Sequence, residues 1–106
     1  MLSLILASAI AGAGVPPVTP EEARVRRELQ AAPHAVRAFL VRRTGCNHWG
    51  GEEGYDAERA AQIAEAAHKL RCNRIEADEK RITRQYAKSR RVRWLLATTR
   101  EWDNLP

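Results

Sequence analysis

The residue types best suited to binding or catalysis are concentrated between residues 46 and 56. Nine consecutive positions there hold an imidazole, two aromatic rings and three carboxylates: His48, Trp49, Glu52, Glu53, Tyr55 and Asp56. Polar and aromatic side chains on a loop are typical of a recognition surface. The same residues would also suit a structural role, in which the rings close one end of a helical bundle and Asp56 caps a helix.

Catalysis is the least supported of the three roles for this stretch. His48 beside Glu52 or Glu53 could act as a general base. The stretch supplies no nucleophile or oxyanion donor to complete a catalytic set, and a small helical bundle does not easily enclose a reaction pocket. We therefore expect a protein that is not an enzyme, with no catalytic residues and no cofactor.

The two cysteines of the chain, Cys46 and Cys72, frame this stretch and the segment after it. In an exported protein such a pair predicts a disulfide. The alternative is a zinc site in a reducing compartment, made by Cys46, His48, His68 and Cys72. His68 and Cys72 are four positions apart and would share a helix face, as zinc ligands often do, but the full spacing matches no standard zinc finger.

The order of residues around the first cysteine resembles a known group of proteins. The pattern is Cys-x-His-Trp-x-Gly-Glu-Glu, then Tyr-Asp-x-x-Arg and a second Cys, carried by Cys46, His48, Trp49, Gly51, Glu52, Tyr55, Asp56, Arg59 and Cys72. It is similar to that of small, signal-bearing bacterial proteins of unknown function, over about residues 39–86. A more distant likeness, in architecture alone, is to LprI-type lysozyme inhibitors, which are secreted helical modules with disulfides. The resemblance implies export and no particular activity.

The first residues of the chain indicate a targeting sequence rather than a folded element. The apolar run from Leu2 to Ile10 is far shorter than the roughly 20 residues that span a bilayer, and Ala11-Gly12-Ala13 fits the cleavage pattern of a secretory signal. We interpret residues 1–13 as a signal peptide, residues 14–18 as an extended linker and residues 19–106 as one helical domain. The predicted location is periplasmic or secreted, with no transmembrane span.

Helix start and stop signals recur along residues 19–106. Thr19, Asp56 and Ser89 are suitable N-caps, and Asn73 with Glu76 could form a capping box. Pro33 should interrupt one helix, and Gly45 should end the next, so that residues 46–55 form an irregular loop. No segment alternates with period two for long enough to form a strand. The sequence predicts an all-α fold, a small bundle of about four helices with one ordered loop, pinned by a single disulfide.

Apolar residues at helical spacing predict which faces point inward. The residues predicted to lie on the inward stripes of the segments before and after the loop are Val25, Leu29, Ala32, Val36, Phe39, Leu40, Ile75, Ile82, Tyr86, Val92, Leu95, Leu96, Thr99 and Trp102. In the alanine-rich helix that follows Asp56, the expected inward residues are Ala60, Ile63, Ala67 and Leu70.

The net charge of +5 is a sum of opposing blocks. Residues 44–79 are acidic, and both flanking segments are basic. The later basic segment predicts a polyanion-binding or membrane-surface patch formed by Lys80, Arg81, Arg84, Lys88, Arg90, Arg91 and Arg93. Because an exported protein rarely meets nucleic acid, nucleic acid is the less supported partner. We expect the partner to be a protein or a cell-envelope polymer. The sequence leaves the oligomeric state open.

Overall fold

Proline and capping residues divide the described chain into five α-helices. A computed structural model describes residues 18–106, and in this range it contains helices and turns but no strand. The elements are α1 (Pro20–Ala31), α2 (His34–Gly50), α3 (Ala57–Lys69), a 3₁₀ turn (Cys72–Arg74), α4 (Ile75–Gln85) and α5 (Arg90–Thr98). The all-α prediction is confirmed. The predicted signal peptide and all but the last residue of the predicted linker lie outside the described residues.

The three predicted N-caps are present. The side-chain oxygens of Thr19, Asp56 and Ser89 accept the backbone N–H three residues later, at 3.1, 2.7 and 3.2 Å. Each bond satisfies a backbone donor that the first turn of a helix leaves without a partner. The break at Pro33 is also present, between the end of α1 and the start of α2.

The predicted capping box at Asn73 and Glu76 is wrong. Helix α4 starts at Ile75 with no side-chain cap. Arg71, in the left-handed region at φ 52°, turns the chain out of α3, and the 3₁₀ turn then leads directly into α4. A backbone turn therefore leads into α4 at the position where the sequence predicted a side-chain cap.

The predicted end of α2 at Gly45 is wrong as well, because the helix continues for five more residues to Gly50. A Cβ atom at position 45 would lie only 2.9 Å from Cδ1 of Leu70. The glycine therefore lets the residue that follows α3 approach the backbone of α2. Only residues 51–56 remain as the loop, and His48 and Trp49 lie on the last turn of α2.

The hydrophobic core is built by α1, α2, α4 and α5. Its buried side chains are Val25, Val36, Phe39, Leu40, Ile82, Val92, Leu95 and Leu96, and Leu29, Ile75, Tyr86 and Trp102 pack against them. Helix α3 contributes no buried residue. Of its predicted inward residues, Ile63, Ala67 and the following Leu70 are half-buried and Ala60 is exposed. We call residues 51–71 the α3 arm, since they lie outside the core.

Helix α2 holds its neighbours through polar side chains as well as through the core. Three of its arginines donate to carbonyl groups at the C-terminal ends of other helices, where carbonyls lack helical partners and cations are favoured. Arg37 donates to the Ala32 carbonyl after α1 (3.0 Å), Arg42 to the Leu70 carbonyl after α3 (2.9 Å) and Arg43 to the Leu96 carbonyl in α5 (2.6 Å).

The predicted disulfide between Cys46 and Cys72 is confirmed, with their Cα atoms 5.6 Å apart. It joins the C-terminal part of α2 to the 3₁₀ turn. Together with the Arg42 hydrogen bond and the contact between Gly45 and Leu70, it fixes the C-terminal end of the α3 arm to α2.

Candidate functional site

A cluster of side chains covers the junction between the end of α2 and the start of α3. The Glu52 carboxylate lies between two basic side chains, with one oxygen 3.5 Å from Nε2 of His48 and the other 3.0 Å from Nη2 of Arg59. The guanidinium of Arg59 lies 5.3 Å from the ring centroid of Trp49, and the His48 ring meets the Trp49 ring edge-on at 5.4 Å. We call these four residues the junction cluster.

The six predicted binding residues fall into two groups. Trp49, Glu52 and Asp56 are engaged within the protein: Trp49 is half-buried under Arg59, Glu52 binds Arg59, and Asp56 caps α3. His48, Glu53 and Tyr55 are exposed, and of these three His48 also contacts Glu52 and Trp49. Tyr55 does not close the end of the bundle, because 76% of its surface is open to solvent. The stretch thus combines a fixed inner side with a displayed outer side.

Arg59 organises this site, although the predicted binding set does not include it. It connects the loop to α3 through Glu52, and it also donates to the Gln62 side chain at 3.0 Å. In the sequence, the Tyr-Asp-x-x-Arg spacing indicated a role for Arg59, because it places Arg59 three residues after the cap residue Asp56. The Asp56 side chain accepts the hydrogen bond that the backbone N–H of Arg59 donates. Arg59 therefore contributes to the cap of α3 through its backbone N–H and binds the loop through its side chain.

The four residues of the alternative zinc set are not assembled as a metal site in this structure. The two cysteine sulfurs are bonded to each other. Within residues 18–106, no group of three or more His, Cys, Asp or Glu side chains is placed to hold a metal ion. His48 instead faces Glu52.

The main surface clefts lie away from the loop. Five clefts in the described part of the chain are lined by residues of α1, α2, α4 and α5 and of the segments that follow α1, α3, α4 and α5, and none of the five includes a residue from 46–56. His48 and Glu52 lie outside these five clefts, and 47% of the His48 side chain and 33% of the Glu52 side chain are exposed.

The predicted basic patch is divided by the structure into engaged and open side chains. Arg81 pairs with Asp78 at 3.0 Å, Arg91 pairs with Glu28 of α1 at 2.7 Å, and Arg93 donates to a backbone carbonyl at 2.8 Å. The remaining four are exposed and form no ion pair with any residue in the range 18–106: Lys80, Arg84, Lys88 and Arg90.

Two ion pairs between α2 and α4 were not predicted. Arg42 contacts Asp78 at 2.8 Å, and Arg43 contacts Glu79 at 2.8 Å. The hydrogen bond from Arg42 lowers the pKa of Asp78 below its ordinary value of 3.8, and the charges of Arg81, Arg42 and Arg74 act in the same direction against the opposing effect of desolvation. These pairs position α4 on α2 and support the core rather than a site.

No protein-family model, curated protein sequence or solved structure gives a significant match to this chain. The function is therefore inferred from the geometry of the junction cluster and the displayed side chains beside it.

Within residues 18–106, no helix is both long enough and apolar enough to cross a membrane.

Proposed function

We propose that the protein is an exported, non-enzymatic helical module that binds a protein partner through the outer side of residues 46–56. The contact residues are His48, Glu53 and Tyr55, and the other three residues of the junction cluster, Trp49, Glu52 and Arg59, support them. The observation that carries the proposal is the 76% exposure of Tyr55 on a loop whose neighbouring side chains are held by specific contacts.

Preorganisation favours binding by this loop. The Asp56 cap, the bond between Glu52 and Arg59 and the disulfide at the C-terminal end of the arm restrict the loop before any partner arrives. A loop that is already ordered loses less conformational entropy on association than a flexible one. Tyrosine is enriched among the residues that dominate binding energy at interfaces, because its ring offers a large contact and its hydroxyl a hydrogen bond.

Export is supported by the disulfide and by the sequence of residues 1–13. Disulfides persist in oxidising compartments and are rare in reducing cytoplasm. The intact mass of the protein from its natural producer tests this part. We expect loss of residues 1–13 and a mass lower by two hydrogens than that of the reduced chain. An uncleaved, fully reduced protein would contradict export.

The binding proposal is tested with three single substitutions. The purified wild type and the variants His48→Ala, Tyr55→Ala and Val41→Ala are immobilised and exposed to cell-envelope extract, and retained proteins are quantified by mass spectrometry. Val41 is the matched control, because it is a 57% exposed apolar residue on α2 outside the loop.

We expect a specific partner on the wild type and on Val41→Ala. Titration of that partner should give a Kd for Tyr55→Ala that is about 30-fold weaker, as for an interface residue worth 2 kcal/mol. Circular dichroism of the variants should match the wild type. A partner that binds all four proteins equally would overturn the proposal, and so would loss of helix content in both His48→Ala and Tyr55→Ala.

A second candidate function is binding of a polyanion or a membrane surface by the basic segment. The observation that favours it is the exposure of Lys80, Arg84, Lys88 and Arg90 without an ion pair among residues 18–106. Retention on heparin or on anionic vesicles should then fall steeply with salt. Retention that persists after all four are replaced by alanine would exclude this function.

A further inference from the structure

A cleft between α4 and the residues that follow α5 brings together basic side chains that are distant in sequence. It is lined by Glu79, Lys80, Thr83, Arg84 and Arg100, and its volume is about 370 Å³. Arg100 lies beyond the basic segment that the sequence singled out, and the fold places it beside Lys80 and Arg84. The cleft is therefore a product of the tertiary structure.

The acidic residue in the cleft is already neutralised from inside the protein. One carboxylate oxygen of Glu79 lies 2.8 Å from the guanidinium of Arg43, whose side chain is 4% exposed. The other oxygen lies 3.6 Å from Arg100, whose side chain is 60% exposed. Because the buried arginine balances the charge of Glu79, the positive charges of Lys80, Arg84 and Arg100 remain for a ligand from solvent.

The donor set matches a tetrahedral oxyanion. Two guanidinium groups present planar pairs of N–H donors, an ammonium group adds a compact positive charge, and the hydroxyl of Thr83 can donate a further hydrogen bond. Charge-assisted bonds from arginine to phosphate are among the stronger hydrogen bonds in proteins. A phosphate monoester carries between one and two negative charges near neutral pH, which three cations can balance.

We propose that this cleft is a binding site for a phosphate monoester, with Lys80, Arg84 and Arg100 holding the phosphate oxygens and Thr83 donating a hydrogen bond to one of them. The cleft is open to solvent, so the group esterified to the phosphate lies outside it. The proposal is independent of the surface at residues 46–56. It deepens the second candidate function by naming the chemical group that the basic segment binds.

The test is a titration of the full folded protein followed by the amide resonances of residues 79–84 and 100. The soluble probes are inorganic phosphate and glycerol phosphate. Vesicles of neutral lipid that contain phosphatidic acid, a phosphate monoester, are compared with vesicles that contain phosphatidylglycerol, a diester. The variants are Arg84→Gln/Arg100→Gln and the matched control Arg26→Gln/Arg27→Gln, which removes the same charge from exposed positions on α1 outside this cleft and outside the basic segment.

We expect saturable shifts of the cleft amides with glycerol phosphate. The affinity should fall about tenfold or more in Arg84→Gln/Arg100→Gln, because charge-assisted bonds are lost, and by less than about threefold in the control, because exposed charges at a distance are screened. The single variant Lys80→Gln provides a second test that leaves the contact between Arg100 and Glu79 in place.

Each outcome has a defined meaning. Binding of the soluble ester together with a preference for phosphatidic acid over phosphatidylglycerol supports a lipid headgroup as the source, and binding of the soluble ester alone supports a free phosphate ester. No saturable binding of either soluble probe would overturn the proposal. An equal loss of affinity in the cleft pair and the control pair would also overturn it, since that result would show a general effect of charge.

Discussion

The disulfide between Cys46 and Cys72 should make a large contribution to global stability. The loss of unfolding free energy that its removal causes can be predicted quantitatively. The two cysteines are 26 positions apart in sequence, so the crosslink restricts the unfolded chain over that length. On the chain-entropy relation, closing a loop of this size stabilises the folded state by about 3.5 kcal/mol. A domain of this size has a total unfolding free energy on the order of 5–13 kcal/mol, so the crosslink would supply a substantial part of it.

The variant Cys46→Ser/Cys72→Ser removes the crosslink without leaving a reactive thiol. Urea unfolding followed by circular dichroism should show a loss of about 3.5 kcal/mol in unfolding free energy, a change of about 300-fold in the folding equilibrium constant. The helix content at zero denaturant should remain close to that of the wild type. The reason is that the buried core comes from α1, α2, α4 and α5, and no buried residue comes from α3.

Hydrogen exchange separates the core from the α3 arm in the same pair of proteins. Amides of Ala57–Lys69 should exchange through local openings, whereas those near Leu40 and Leu95 should require global unfolding. A loss of less than about 1 kcal/mol in the double variant would refute the loop-closure reasoning. Loss of the core helices at zero denaturant would refute the claim that the core folds without support from the crosslink.

Three further predictions follow from the internal contacts. Arg43→Met should lower the unfolding free energy by about 3 kcal/mol, because it leaves two buried acceptors without their donor and leaves Glu79 only its longer contact with the exposed Arg100; urea unfolding measures this, and a loss below about 1 kcal/mol would contradict it. Asp78→Asn should be less stable than the wild type at pH 7. Because the bond from Arg42 depresses the pKa of Asp78, the carboxylate's contribution is present above pH 3.8 and is lost as the pH falls through the lowered pKa of the folded state. The stability gap between variant and wild type should therefore narrow in acid, and a constant gap would contradict the assignment. Arg71→Gly should raise the Tm by about 4–8 °C, because glycine removes about 1 kcal/mol of strain at φ 52° and keeps the carbonyl that accepts from Arg42; an unchanged or lower Tm would contradict it.

The features that the sequence predicted well depend on local signals. The caps at Thr19, Asp56 and Ser89 need only the adjacent backbone, and the break at Pro33 follows from the missing N–H and the ring of that residue. The buried stripes of α2 and α5 repeat at helical spacing. The disulfide followed from having two cysteines and an inferred oxidising compartment.

The features that the sequence did not predict depend on contacts between distant residues. Gly45 is typical of a helix end when considered alone, and only its contact with Leu70 shows that it serves close packing. The alanine-rich helix carries an apolar stripe, yet it lies outside the core because the other four helices already bury one another's apolar faces.

In each of the two candidate binding surfaces, part could be predicted from neighbouring residues in the sequence, and part depends on contacts between residues that are distant in the sequence. Residues 46–56 were found from sequence because their unusual composition is contiguous. The division of that stretch into an engaged and a displayed side required the position of Arg59. The cleft at Lys80 and Arg84 required Arg100, which follows α5 in the sequence and which only the tertiary structure brings near them.

Site-specific crosslinking is the most direct test of the central claim that residues 46–56 form a recognition surface. A photoreactive phenylalanine analogue is placed at Tyr55 or, as the control, at Val41, and cells that produce the protein are irradiated. We expect one discrete covalent adduct of a partner protein from position 55 and none from position 41. No adduct at position 55, or the same adducts from both positions, would contradict it.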